Sequence, residues 1–297
     1  MIKVLDSYIA KWAAGNPEPN VARLFRITAY GWMFLNALYF FPIRGHLWGE
    51  LSVIMPFHPE QSLSVNMAYI LDHRREWALP GFFLYLLWVL LSMLGIGWRI
   101  PRILVFVNGW LLYYGCLPVF NSSFLLYQVF SFFLIFFGKP SASGLNAILS
   151  YIALWACRIQ FVLVYLLAGG YKLTGDTWLE GTSIWYALNL DYFTSQWLRD
   201  LLLDQHWFLY IGNYFGLIYQ VTFPFLIWWK PARVPLFIAG ILFHGFIGVA
   251  MSLPEFALAM ILGYTLFFED DLSDKILRKI PFVNRSQKSA STMRSTL

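Results

Sequence analysis

Arg158, Tyr165 and Lys172 recur at seven-residue intervals in "CRIQFVLVYLLAGGYKLTGDTWLEGTSIWYAL", and Asp176 and Glu180 follow the lysine within eight residues. Seven residues make nearly two helical turns, so these three side chains share one stripe, with about 20° of drift per step. Gly169 lies on the same stripe and lets a backbone or a ligand come close. An arginine facing lipid at mid-membrane costs at least about 2.5–3.5 kcal/mol, which turns Arg158 inward and takes Tyr165 and Lys172 with it. The plain reading of Arg158 is a hydrogen-bond anchor between helices, and that of Lys172 is a snorkelling interfacial side chain. The chemical reading is a lysine held in a pocket, where its neutral amine is a usable general base. A polar path from the helix mouth to mid-membrane is the expectation.

His244 is the second candidate. It sits in "GILFHGFIG" between Gly240 and Gly248, four residues to either side, so one titratable group rides on a close-packing helix face. A buried structural histidine is the competing reading. Asn213 and Gln220 share a stripe on another apolar segment, and Asn108 and Asn121 add further amides. Polar groups at such depths face other helices or a cavity. No metal site is expected, because no second histidine or carboxylate stands three or four residues from His244. Nucleophile-elbow, phosphate-loop, zinc-protease, CxxC and dinucleotide motifs are all missing from the sequence.

These residues need elements to position them. Of the 297 residues 59% are hydrophobic and 12% charged, with 28 Phe, 17 Tyr and 14 Trp. A soluble domain carries roughly twice that charged fraction, so much of the surface must face lipid. Eight apolar segments approach the roughly 20 residues that cross a bilayer: 23–43, 79–98, 102–119, 123–138, 147–171, 207–229, 234–251 and 254–269. The fold class expected is all-α, a polytopic transmembrane bundle of about eight helices with both termini cytoplasmic. Residues 1–22 form a cytoplasmic lead, 23–270 the membrane domain, and 271–297 a basic, partly disordered cytoplasmic tail. With that topology fifteen Lys and Arg fall inside, five outside, and Arg158 within the membrane. This positive-inside bias places Lys172 on the outer, periplasmic or extracytoplasmic face. The net charge of +5 is spread over loops and tail without a basic face, which argues for orientation in a bilayer and against nucleic acid. Cys116 and Cys157 lie in apolar segments and read as packing residues.

Several stretches carry a family resemblance. "RLFRITAYG", "LGIGWRI", "ACRIQFVLVYLLAGGYKLTGDTWLEGTSIWYAL" and "FHGFIGVAM…FALAMILGYTLFF" resemble the horizontally transferred transmembrane (HTTM) domain, over roughly residues 20–270. This is the membrane domain of vitamin K-dependent gamma-glutamyl carboxylases and of many bacterial proteins. The resemblance implies that Lys172 corresponds to the base that deprotonates reduced vitamin K, on the lumenal side. His244 is the second catalytic candidate, and Arg158, Gln160, Tyr165, Trp178, Glu180 and Asn121 are candidate substrate contacts. Glu180 or Asp176 would hold Lys172 or its loop. The cofactor implied is reduced vitamin K or another quinol. Asn121-Ser122 stands where the carboxylases carry an Asn-His pair, and their large β-rich lumenal portion has no counterpart in these 297 residues. Two functions are therefore expected. One is a lyase-like membrane enzyme that takes a proton from a lipid-soluble quinol. The other is a non-catalytic membrane component for maturation or export of a secreted peptide, working with a partner protein such as another membrane protein. Either would sit in a bacterial inner membrane.

Overall fold

The computed structural model describes residues 19–48, 75–115, 121–138, 145–190 and 194–280. The N-terminal residues 1–18, Cys116, His58, His73 and the tail beyond 280 lie outside them. Every regular element among the described residues is helical. In chain order they are α1 (Pro19–Phe40), continued by a 3₁₀ turn Phe41–Ile43, α2 (Arg44–Trp48), α3 (Arg75–Leu94), α4 (Arg99–Gly115), α5 (Ser122–Leu134) and α6 (Leu145–Leu173). Then come α7 (Asp176–Leu179), α8 (Ser183–Leu188), α9 (Gln196–Leu202), α10 (His206–Leu226), α11 (Lys230–Ala250), α12 (Pro254–Gly263), a 3₁₀ turn Tyr264–Phe267, and α13 (Asp270–Lys279).

Each of the eight apolar segments becomes a helix. Two of these, α6 and α11, are long and apolar enough to cross a bilayer by themselves. At about 1.5 Å per residue they measure roughly 43 and 31 Å against a hydrocarbon core of about 30 Å. Prolines mark the starts: Pro231 lies in the first turn of α11 and Pro254 opens α12, where a missing N–H costs nothing. The loop 172–206, expected on the outer side, is not plain coil where it is described: it contains the short helices α7, α8 and α9.

Helix α10 shows how the sequence suits lipid. Its exposed face carries Ile211, Phe215, Ile218 and Phe225, between 39% and 68% accessible, whereas Asn213 and Gln220 are buried. Polar residues inside and apolar residues outside invert the pattern of a helix that faces water.

The chain divides into two compact units. One comprises residues 1–155 with 268–297, and the other residues 156–267, so the division falls within α6. In the first unit, α1 packs on α3, α5 and α13. Trp32 meets Tyr127 at 4.2 Å between ring centroids, and Phe25 meets Phe130 at 5.2 Å. Asp270 accepts from the backbone N–H groups of Asn20 and Val21, at 2.9 and 3.1 Å, and from the Asn20 amide at 2.8 Å. A carboxylate there satisfies the otherwise unpaired N–H groups that open α1. α13 is amphipathic and buries Leu277 against Leu24 and Ile27. In the second unit, α10, α11 and α12 pack in sequence, and Leu188, Leu198, Leu209 and Ala250 form a small core beneath the short helices.

Candidate functional site

The site forms within residues 156–267. Its frame is the end of α12. There the backbone tightens into the 3₁₀ turn Tyr264–Phe267, and carbonyls at a helix end need partners. Arg158 on α6 supplies one: its Nε donates to the Leu266 carbonyl at 2.8 Å, and its guanidinium lies 6.0 Å from the Phe267 ring centroid. Arg233 supplies another, donating to the Phe267 carbonyl and to the Ile227 carbonyl, both at 3.1 Å. Arg158 is buried, as the helical stripe requires, and it anchors the turn that holds Tyr264.

One heptad along, Tyr165 is 1% accessible. Its hydroxyl lies 2.8 Å from His244 Nε2 and 3.1 Å from the Tyr264 hydroxyl, which lies 2.8 Å from that of Tyr219. An imidazole and three phenols thus form one continuous hydrogen-bonded chain across α6, α11, the 3₁₀ turn after α12, and α10. Two glycines make room for it. A methyl group at Gly240 would overlap the hydroxyls of both Tyr264 and Tyr219, and one at Gly263 would overlap the Phe161 ring. Phe223 stacks on Tyr165 with centroids 4.0 Å apart and planes 24° apart. Pro224 has no N–H to give to the Gln220 carbonyl, and Gly169 comes so close there that a Cβ would sit 3.2 Å from that oxygen.

Lys172 completes the stripe one heptad further on. Its Nζ lies 3.8 Å from the centroid of the Trp178 ring and 5.6 Å from that of Phe243, and within electrostatic reach of His244. Asp176 and Glu180 do not hold it. Both are exposed, and neither pairs with it among the described residues. The reason is local. Gly175 ends the chain's run from α6 and opens the single turn α7, which leaves Asp176 and Glu180 outward and carries Trp178 under the amine. A cation over an indole face replaces the expected ion pair. Trp178 is itself fixed through its carbonyl, which accepts from the Asn213 amide at 2.8 Å. The Leu179 carbonyl accepts from the Tyr214 hydroxyl at 2.5 Å. Gly181 then turns the chain with φ of +82°, against the ring of Tyr210.

Among the described residues, the atoms of this unit that are buried without a partner include Asn213 Oδ1, Gln220 Oε1 and His244 Nδ1. The first two are acceptors, and the third accepts or donates according to the tautomer. Such a set is suited to a ligand hydroxyl, and the rings of Trp178 and Phe243 are suited to a planar apolar ring. No group of three metal-ligating side chains comes together among the described residues.

The structure therefore brings together Arg158, Tyr165, Lys172, Trp178 and His244 of the sequence candidates. Gln160 is half-buried on α6 without a side-chain partner, and Glu180 points to solvent. Asn121 belongs to the other unit, where it is the N-cap of α5: its Oδ1 accepts from the Ser123 N–H at 3.0 Å and from the Ser123 hydroxyl. Tyr219, Tyr264 and Phe223 are the site residues that sequence reasoning missed. The signal for them was Gly240, one turn before His244 and too small to keep two phenols away.

A model of the HTTM domain matches residues 64–272. No curated protein and no solved structure matches the chain. The matched span is well over half of the sequence and contains every residue of the arrangement around Lys172 and His244, so the chain belongs to the HTTM domain family, a family of membrane-associated proteins.

Proposed function

We propose that this chain is a polytopic membrane protein of the vitamin K-dependent carboxylase-like kind, which binds a lipid-soluble quinol and removes a proton from it with Lys172. The observation that carries the reading is the Lys172 amine, held over the Trp178 ring without a carboxylate partner, in the unit where Asn213 Oδ1 and Gln220 Oε1 are buried and unmatched. An amine with no anion beside it gains less from staying protonated, which suits a base. The aromatic rings offer a planar ring a stacking surface, and the two amide oxygens offer its hydroxyls acceptors. A bound quinol would supply the acidic hydroxyl and the reducing electrons. Lys172 takes the proton, and the Tyr165–His244 hydrogen bond provides a neutral polar wall that can pass charge inward. Arg158 and Arg233 fix that wall by capping the turn that carries Tyr264. The inverted faces of α10 and the fifteen-to-five distribution of basic residues support an eight-helix arrangement with cytoplasmic termini and Lys172 outward, in a bacterial inner membrane.

The test is turnover. Purified protein in lipid nanodiscs, given reduced vitamin K, oxygen and bicarbonate, is expected to form quinone epoxide, and Lys172→Ala to lose it by about 100-fold or more. Epoxide formed equally by Lys172→Ala removes the lysine from its assigned role. Bound quinol with no epoxide from the wild type favours the non-catalytic component working with a secreted peptide or partner membrane protein.

A further inference from the structure

The first unit concentrates positive charge that nothing in the proposed reaction uses. Arg26 of α1 donates from Nη1 to the Ser92 carbonyl at 3.0 Å. Its guanidinium lies against Gly95, whose φ of +77° and lack of Cβ give it room. Arg102 of α4 is 3% accessible and donates to the carbonyls of Leu134, at 3.2 Å, and Phe137. Arg99 donates to the Asn146 amide oxygen at 2.8 Å and lies 4.7 Å from the Trp98 ring centroid. Arg26 and Arg102 feel one another's charge, Arg26 also feels Arg23, and Arg102 also feels Arg99. Among the described residues no carboxylate acts on Arg26 or Arg102, whereas Asp274 acts on Arg23.

Carbonyl caps account for only part of what these guanidinium groups can donate. Arg102 Nε and Arg99 Nε are buried without acceptors, and so is the hydroxyl of Ser92, a residue with no accessible surface. The like charges of Arg26, Arg99 and Arg102 gathered in an apolar setting repel, and unmatched buried donors add to the cost. An oxyanion relieves both, because guanidinium forks fit its oxygens two at a time. The backbone here is also held in an unusual form: Trp98 has φ of +54°, between Gly97 and Arg99. A bulky residue in that region is a strained choice that the surroundings must impose.

We infer that Arg26, Arg99 and Arg102, with Ser92, form a binding site for a phosphate group, carried by an anionic lipid headgroup or by a small phosphate in solution. The positive-inside count puts this cluster at the cytoplasmic face, where basic pockets between membrane helices meet anionic headgroups. The site is independent of the Lys172 reading.

The test uses the full chain in dodecyl maltoside. Phosphatidylglycerol, a neutral glucosyl diacylglycerol and inorganic phosphate are each titrated while the melting temperature is followed, and native mass spectrometry counts retained lipid. Phosphatidylglycerol is expected to raise the melting temperature by about 5 °C or more, the neutral lipid not at all. Arg26→Gln and Arg99→Gln are each expected to lose most of that shift and at least ten-fold in lipid affinity. Arg99 is the safer variant, since Arg102 still caps α5 without it. An equal shift from inorganic phosphate, abolished by the same variants, assigns the site to a soluble phosphate. No shift with either ligand, or shifts unchanged in both folded variants, overturns the inference.

Discussion

The two units solve the same problem with different groups left unmatched. Both must bury polar groups in a chain that is 59% hydrophobic. The unit 156–267 does so with three phenols and an imidazole in one chain of hydrogen bonds, framed by Arg158 and Arg233 on backbone carbonyls, and the atoms it leaves over include the acceptors Asn213 Oδ1 and Gln220 Oε1. The other unit has no such chain of phenols among the described residues; there Arg26 and Arg102 sit on backbone carbonyls, and the atoms left over include the donors Arg99 Nε and Arg102 Nε. Surplus acceptors suit a ligand that donates, which is the basis of the proposed quinol. Surplus donors call for an anion. What a buried polar group still lacks is a better guide to ligand chemistry than which polar residues are present.

Several substitutions would break or sharpen that contrast. The largest effect expected on stability is that of Gly240→Ala, whose methyl group must push aside the hydroxyls of Tyr264 and Tyr219. A loss of about 3 kcal/mol in a denaturant titration is predicted. Tyr165→Phe keeps the ring on Phe223 but leaves His244 Nε2 and the Tyr264 hydroxyl short of a partner, for about 1–3 kcal/mol. If the phenols were ordinary packing residues, Tyr165→Phe would instead be neutral. Asn121→Ala removes the N-cap of α5 and should cost about 1 kcal/mol while leaving quinol turnover unchanged. Lost turnover at unchanged stability would return Asn121 to the substrate-contact role expected from sequence. Glu180→Gln should change neither, staying within about 0.5 kcal/mol, because the carboxylate is exposed and holds nothing. A fall in turnover would show that it steers Lys172 after all.

Much of this was legible in the sequence. Long apolar runs bounded by Pro, Gly and charged residues located the helices to within a few residues, because those signals act locally. The seven-residue stripe placed Arg158, Tyr165 and Lys172 on one buried side of α6, because helix periodicity fixes which side chains share a face. What escaped was set by packing between distant segments. Tyr219 and Tyr264 look like any aromatic residues of an apolar helix until Gly240 brings them together across 45 residues of sequence. Lys172 was expected to meet a carboxylate because opposite charges stood nearby in the sequence. Which of Asp176, Trp178 and Glu180 faces it depends on one turn of helix at Gly175, which periodicity does not specify. Asn121 is a different miss, since an Asn directly before a helical run is a cap signal that local reading can find.

The claim that Lys172 meets the quinol has a direct measurement. The wild-type protein in nanodiscs is treated with an apolar amine-acylating reagent, with and without reduced naphthoquinol, and acylation at each lysine is followed by peptide mass spectrometry. Acylation of Lys172 is predicted to slow by about ten-fold or more when quinol saturates the protein, while exposed Lys275 and Lys279 react unchanged. Acylation of Lys172 at the same rate with bound quinol would contradict the account.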